Sequence, residues 1–320
     1  MNEMGLHASV ANALKVIARN EQMKSYIQES KELYPLLARA ARRFVAGETR
    51  DEAIGEAKQL ATRGYATSLE YIGENTRDQA GCEAAKNEFL QLIHTARQAG
   101  IQHTISLDLS HIGLVVNEEL AYKHLVELAR EAASHGMNVM ISAEESAKTD
   151  QILGLYRRAC EDHANVGITL QAQLHRTERD VENVLACRGP IRLVKGAYQE
   201  PSDLALPRSE ELSARYLHLA DRLITAGRPV SLATHDEALH RAIRQQGYLD
   251  RPHVEVEMLY GIRPDLLKQL REDGYRTKVY VLYGQEWFLY FCHRLSEYPP
   301  NIYTAITDMV VPSHHHAMQY

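Results

Sequence analysis

The sequence predicts an α/β chain: a (β/α)8 TIM-type barrel preceded by an N-terminal helical arm. Eight short β-like runs alternate with amphipathic helical stretches over about 250 residues, the usual size of one parallel barrel. Each run finishes on polar or charged residues, where a barrel carries its chemistry. No glycine-rich GxGxxG follows the first run, which counts against an open dinucleotide-binding sheet.

Taken in order, the first 50 residues read as the arm. Apolar residues recur at spacings of three and four through Val10, Leu14 and Ile17, then through Tyr34, Leu37, Ala41 and Phe44. Gly47 is expected to end a helix, and Thr49 with Glu52 three positions later reads as a capping box opening the next. Residues 51–320 form the barrel with a C-terminal helix and tail. Its strands are expected at Tyr65–Tyr71, Thr104–Leu109, Asn138–Ile141, Gly167–Gln171, Ile191–Val194, Pro229–Ala233, His253–Met258 and Arg276–Val281. Amphipathic helices such as Glu118–Ser134 and Ser209–Ala226 lie between them.

Composition narrows the function. Of 320 residues, 45% are hydrophobic and 24% charged, and the formal net charge is −6. That balance suits a globular domain, and without a basic stripe interleaved with aromatics it argues against nucleic-acid binding. Cys82, Cys160, Cys187 and Cys292 form no CxxC pair, so a reduced, cytoplasmic protein is expected, with peripheral membrane association as the alternative. The N-terminal stretch carries no continuous apolar run, so neither a signal peptide nor a transmembrane segment is expected. His314, His315 and His316 follow a Pro-Ser turn and read as an incidental end; no metal site is assigned.

Three segments carry chemistry. In Ile191–Tyr198 an apolar strand ends on Lys195, followed by Gly196 and Ala197, which let a planar ligand approach the backbone, and then by Tyr198. Ser231–Asp236 places Thr234 and His235 at a strand end, where a hydroxyl and an imidazole hydrogen-bond a cofactor. The helix Glu286–Glu297 sets Tyr290, His293, Arg294 and Glu297 on one face. Each admits a plainer reading alone: a solvated lysine, a structural histidine, a solvent-facing helix.

Together they resemble the proline dehydrogenase family. RLVKGAY at 192–198, ATHD at 233–236, EMLYGI at 257–262, YVLYG at 280–284 and YFCHRLSEYPPN at 290–301 carry the resemblance. Upstream, RRFVAGET at 42–49, SLDLSHIGL at 106–114, DQILGLYRR at 150–158 and VGITLQAQL at 166–174 extend it. The resemblance implies a barrel carrying FAD, or FMN, with the last helix over the flavin. It implies cofactor contacts from Ala143, Gln171, Arg192, Lys195, Gly196, Ala197, Thr234, His235 and Glu297, catalytic roles for Arg192, Tyr280 and Ser142, and a substrate pocket walled by Tyr198, Leu259, Tyr280 and Tyr290. A quinone or oxygen is the implied electron acceptor.

This chain departs from the family where substrate binds. The family's strand-two lysine is Asp108, its strand-three aspartate near the amine is Ser142, and one of two adjacent arginines is His293, leaving Arg294. The glutamine before MLYG is Glu257, and the asparagine after the histidine is Asp236. The exchanges at Asp108, Ser142, His293 and Glu257 leave the pocket about three charge units more negative with histidine neutral. The expected function is therefore flavin-dependent oxidation, by hydride transfer to flavin N5, of a C–N bond in a proline-like, cyclic or derivatised amine, with free L-proline disfavoured. Glu144 or Asp108 is expected to replace the lost aspartate. Two rivals are a flavin-binding protein without catalysis and a Schiff-base barrel lyase using Lys195.

Overall fold

Eight parallel strands close on themselves in chain order: Ala66–Tyr71 (β1), Thr104–Leu107 (β2), Asn138–Ile141 (β3), Val166–Gln171 (β4), Ile191–Val194 (β5), Val230–Ala233 (β6), Val254–Leu259 (β7) and Thr277–Tyr283 (β8). The structure is a computed structural model and describes residues 3–18, 20–101, 104–196, 198–298, 300–311 and 320. The ring closes where β8 pairs with β1 in the register Ser68↔Tyr280 and Glu70↔Leu282. Each strand lies within two residues of its sequence expectation at both ends.

Thirteen helices occupy the described residues: Glu3–Ala18 (α1), Glu21–Glu29 (α2), Leu33–Ala41 (α3), Arg50–Thr62 (α4), Gln79–Gln98 (α5), Glu118–Ser134 (α6), Thr149–Cys160 (α7), Thr177–Leu185 (α8), Glu210–Thr225 (α9), Glu237–Gln245 (α10), Pro264–Glu272 (α11), Trp287–Glu297 (α12) and Pro300–Val310 (α13). Their starts follow side-chain chemistry. Asp78, Asn117, Ser209 and Asp236 each accept a backbone N–H of the first turn, filling donors that the helix leaves open. Thr49 and Glu52 form the anticipated capping box. Gly47 does not end a helix, because α3 already stops at Ala41. Its backbone sits at φ +147°, and a Cβ there would lie 2.5 Å from the Glu52 Cβ, so glycine makes room for the box.

Alternation along the strands separates two interiors. Outward residues such as Leu69, Ile105, Leu107, Val139 and Leu193 are fully buried against Leu60, Phe89, Leu92 and Leu128 of the helical ring. A second apolar cluster joins Phe44 of the segment after α3 to Trp287, Phe288, Phe291 and Leu295 of α12. Arg43 grips the buried Asp308 of α13 at 2.6 and 2.9 Å, and Lys24 pairs with Glu286 beside α12. The N-terminal helices and α13 thereby fix α12 across the end of the barrel.

Cys160 and Cys187 are bonded, their Cα atoms 5.7 Å apart, so the expectation of unpaired cysteines fails. They end α7 and follow α8, adjacent helices whose C-terminal ends meet at the bottom of the barrel. One β/α repeat, 27 residues, separates them in sequence. A surface depression of about 750 Å³ lies beside this bond, remote from the strand tops. No helix among the described residues is long and apolar enough to cross a membrane. His314–His316 lie outside the described residues.

Candidate active site

The inward face of the barrel is polar from bottom to top. In the lower layer Lys278 of β8 pairs with Glu255 of β7, and Ser231 of β6 donates to the same carboxylate at 2.6 Å. Burial pushes Glu255 up, but the Lys278 ammonium overrides it and holds the carboxyl below the usual range. One layer higher, Arg192 of β5 spans the lumen. Its Nε and Nη2 reach Glu257 Oε2 and Oε1 at 2.9 and 2.7 Å. Nη2 also lies 3.0 and 2.9 Å from the Ser68 and Ser106 hydroxyls. Burial works against this charge, and the Glu257 carboxylate more than offsets it, so the guanidinium stays firmly protonated. Glu257, expected to bind substrate, thus directs both oxygens to Arg192, and its charge is met within the chain.

Tyr280 lies over this plug with its ring 4.6 Å from the Arg192 guanidinium. Its hydroxyl donates to Glu70 at the end of β1, and Ser142, just past β3, donates to the same Glu70 oxygen at 3.1 Å. Ser142 and Tyr280 are also 3.2 Å apart. Ser142 has thus not left the position without a carboxylate. The carboxylate that Ser142 touches is Glu70; Glu144 or Asp108 was the expectation. Burial raises Glu70 above the ordinary glutamate range, although Tyr280, Arg192 and Ser142 draw it back.

Above this triad the mouth is acidic. Asp108 is half-buried and raised well above the aspartate range by burial and by Glu144, Glu70 and Glu74. Tyr198 is likewise pushed well up by burial and by Asp108, so its phenol remains neutral. Glu144 is tied down by the Ser110 N–H at 3.0 Å and by Lys148 at 3.0 Å, whose ammonium also reaches Asn75 at 2.7 Å. Across the mouth, Lys195 pairs with Asp236 at 2.6 Å, and the Asp236 carboxyl is held low by that bond and by the α10 N–H groups despite burial. An ion-paired lysine is unlike the desolvated neutral amine a Schiff-base lyase needs.

Helix α12 brings Tyr290, His293 and Arg294 over the mouth. Arg294 is buried, donates through Nη2 to Glu297 at 2.7 Å, stacks 4.9 Å from the Tyr290 ring, and leaves Nε without a protein partner. Leu259 is half-buried at the top of β7 beside Tyr280, and Ala143 follows Ser142. Ala197 lies outside the described residues.

Sequence reading overlooked Ser68, Ser106 and Thr169, which crown Arg192, and gave Glu70 no role. Period-two counting back from the strand ends would have found them, since Ser68 and Glu70 share one face of β1 as Thr169 and Gln171 share one of β4.

The proline dehydrogenase family model matches residues 53–297. The chain belongs to the proline dehydrogenase family. Proline dehydrogenase 1 of Bacillus subtilis (strain 168) is 33% identical over 264 residues, covering 82% of this chain and 87% of that relative. The proline dehydrogenase of Deinococcus radiodurans is 33% identical over 279 residues, or 84% and 90% of the two chains. The carbapenem antibiotics biosynthesis protein CarD of Pectobacterium carotovorum is 26% identical over 284 residues, covering 75% of this chain and 73% of its own. A crystal structure of PutA from Bdellovibrio bacteriovorus, inactivated by N-propargylglycine, shares the fold at TM-score 0.74 and 17% identity; the match covers 88% of this chain and 38% of that much longer one.

The proline dehydrogenase family consists of flavoprotein oxidoreductases, and the mouth fits a flavin. Gln171 is buried, donates to the Glu144 carbonyl at 2.9 Å, and leaves Oε1 with no partner. His235 has an unpartnered buried Nδ1, and burial beside Arg294 and His240 pushes it down to about 3, so it is neutral. Buried polar atoms without partners cost about 1–3 kcal/mol each, which a ligand relieves. Gly196, at φ +133°, would drive a Cβ to 2.1 Å from the Gln173 side chain, so only glycine leaves the backbone this close to the strand ends.

Proposed function

We propose that this proline dehydrogenase family member oxidises the CH–NH bond of a proline-like, cyclic or derivatised amine that lacks a free carboxylate, and that free L-proline is a poor substrate. One observation carries the reading: at the mouth, Glu70 and Asp108 face inward with raised affinity for protons, whereas the cations Arg192, Lys148 and Lys195 are each engaged by a carboxylate of the chain. A carboxylate entering this space meets carboxyl groups in place of free cations, and Arg294, already bonded to Glu297, is the cation left to receive it. Each charge-assisted bond withheld is worth about 1.5–3 kcal/mol.

FAD, with FMN as the other possibility, is assigned to Gln171, Lys195, Gly196, Thr234, His235 and Glu297. Bound there, the flavin supplies the hydride acceptor for the amine carbon. The chain's own residues do the rest. Glu70 faces the amine and takes the proton an ammonium must lose before its adjacent C–H bond is oxidised; Tyr280 and Ser142 hold the Glu70 oxygen in place. The Arg192–Glu257 pair seals the lumen beneath and keeps a fixed positive group under the reacting centre. Tyr198, Leu259 and Tyr290 wall the amine off from water. Kinship with a protein of carbapenem antibiotic biosynthesis is compatible with a derivatised substrate.

The test is an anaerobic titration of the purified, oxidised protein, with visible absorbance recorded against a panel of cyclic amines. The expected result is a yellow protein bleached by an amine lacking a carboxylate. A colourless protein that takes up neither FAD nor FMN removes the flavin assignment, and rapid bleaching by millimolar L-proline removes the substrate assignment.

A further inference from the structure

Far from the mouth, the seam between α5 and α6 is bridged by carboxylates. In its middle, Lys86 pairs with Glu83 at 2.7 Å and Glu127 at 3.1 Å, while His124 Nε2 lies 3.1 Å from Glu83. Toward the bottom of the barrel the seam changes character. There Glu131 of α6 meets two imidazoles: His94, one turn from the end of α5, and His135, which caps α6. Glu131 Oε1 is 2.9 Å from His135 Nε2 and 3.6 Å from His94 Nδ1, and the three ligand atoms all lie within 4.8 Å of one another. The two rings meet edge to face, their centroids 6.0 Å apart and their planes at 62°.

We propose that His94, Glu131 and His135 form a binding site for a divalent transition ion of the zinc class. Two neutral imidazoles and one carboxylate are a donor set that zinc takes with three protein ligands, leaving a fourth position to water. Zinc bonds of about 2.0–2.2 Å in tetrahedral geometry put ligand atoms roughly 3.4 Å apart, and the two distances to Glu131 bracket that value. Glu131 and His135 are four residues apart on one helix face, so their spacing is set by the α6 backbone, and His94 reaches them from α5. The ion takes the place along this seam that the Lys86 ammonium takes higher up, joining α5 to α6 by coordination. The site lies on the outer helices and is independent of the flavin chemistry.

The test uses the full chain with His314, His315 and His316 changed to alanine, so that the tail contributes no ligand. Zinc is titrated by calorimetry, cobalt is substituted for its visible absorption, and thermal unfolding is followed with and without zinc. The expected result is one saturable zinc equivalent per chain, tetrahedral cobalt bands, and a zinc-dependent rise in the unfolding midpoint. All three are lost in His94→Ala and in Glu131→Gln, exposed or half-buried positions whose replacement leaves the metal-free midpoint in place. Absence of saturable binding, or equal binding by the His94→Ala protein, overturns the proposal.

Discussion

The lower and upper layers of the barrel interior are built from the same residue types to opposite ends. Below, Lys278, Glu255 and Ser231 close on one another in a largely buried network that leaves no charge over. Above the Arg192–Glu257 pair, Glu70 and Asp108 are raised by burial, and Gln171, His235, Tyr290 and Arg294 keep polar atoms without protein partners. A barrel selected only for stability satisfies its buried groups in both layers. Four such groups converging on the strand tops mark the place where a ligand completes them.

The largest effect expected concerns specificity in the upper layer. Asp108→Lys combined with His293→Arg returns two positive groups to the pocket and should raise kcat/KM for L-proline about 10²- to 10⁴-fold, measured by steady-state dye reduction. No gain would mean that the acidic mouth does not select the substrate. Next comes the lower layer: Lys278→Met strands the largely buried Glu255 charge and should cost about 3 kcal/mol in urea unfolding, with Lys278→Met/Glu255→Leu recovering most of it. A loss below about 1 kcal/mol would erase the contrast between the layers.

Glu70→Gln then sharpens the upper-layer reading. Amine oxidation should fall about 10²-fold while the urea midpoint holds, because the lost group is a proton acceptor and the amide still receives hydrogen bonds from Tyr280 and Ser142. Smallest is a pH effect. The folded protein holds the Asp108 proton more tightly than the unfolded chain does. Its contribution to stability is therefore full below about pH 3.9, the unfolded value, and is lost as pH rises through the raised folded value. Asp108→Asn removes that loss, so its stability relative to the parent should grow from pH 4 toward neutrality; a constant difference across that range would place Asp108 in solvent.

The strands were legible because their apolar alternation and polar ends follow from the barrel itself, and α6 was anticipated residue for residue. Pairings across the lumen were not. Arg192 and Glu257 are 65 positions apart, and Glu70 and Tyr280 are 210 apart. Their contacts depend on the stagger of the closed sheet, which no local pattern encodes. The same blindness hid the Cys160–Cys187 bond, since only the stacking of consecutive β/α units brings two helix ends together. The pairing of Glu257 with Arg192 was hidden for the same reason.

The most direct measurement compares two ligands of nearly equal shape. Anaerobic stopped-flow should record flavin reduction by L-prolinamide and by L-proline at matched concentrations. The acidic mouth predicts that the amide, which carries no carboxylate, reduces the flavin faster by at least about tenfold. Equal rates, or faster reduction by L-proline, would contradict it.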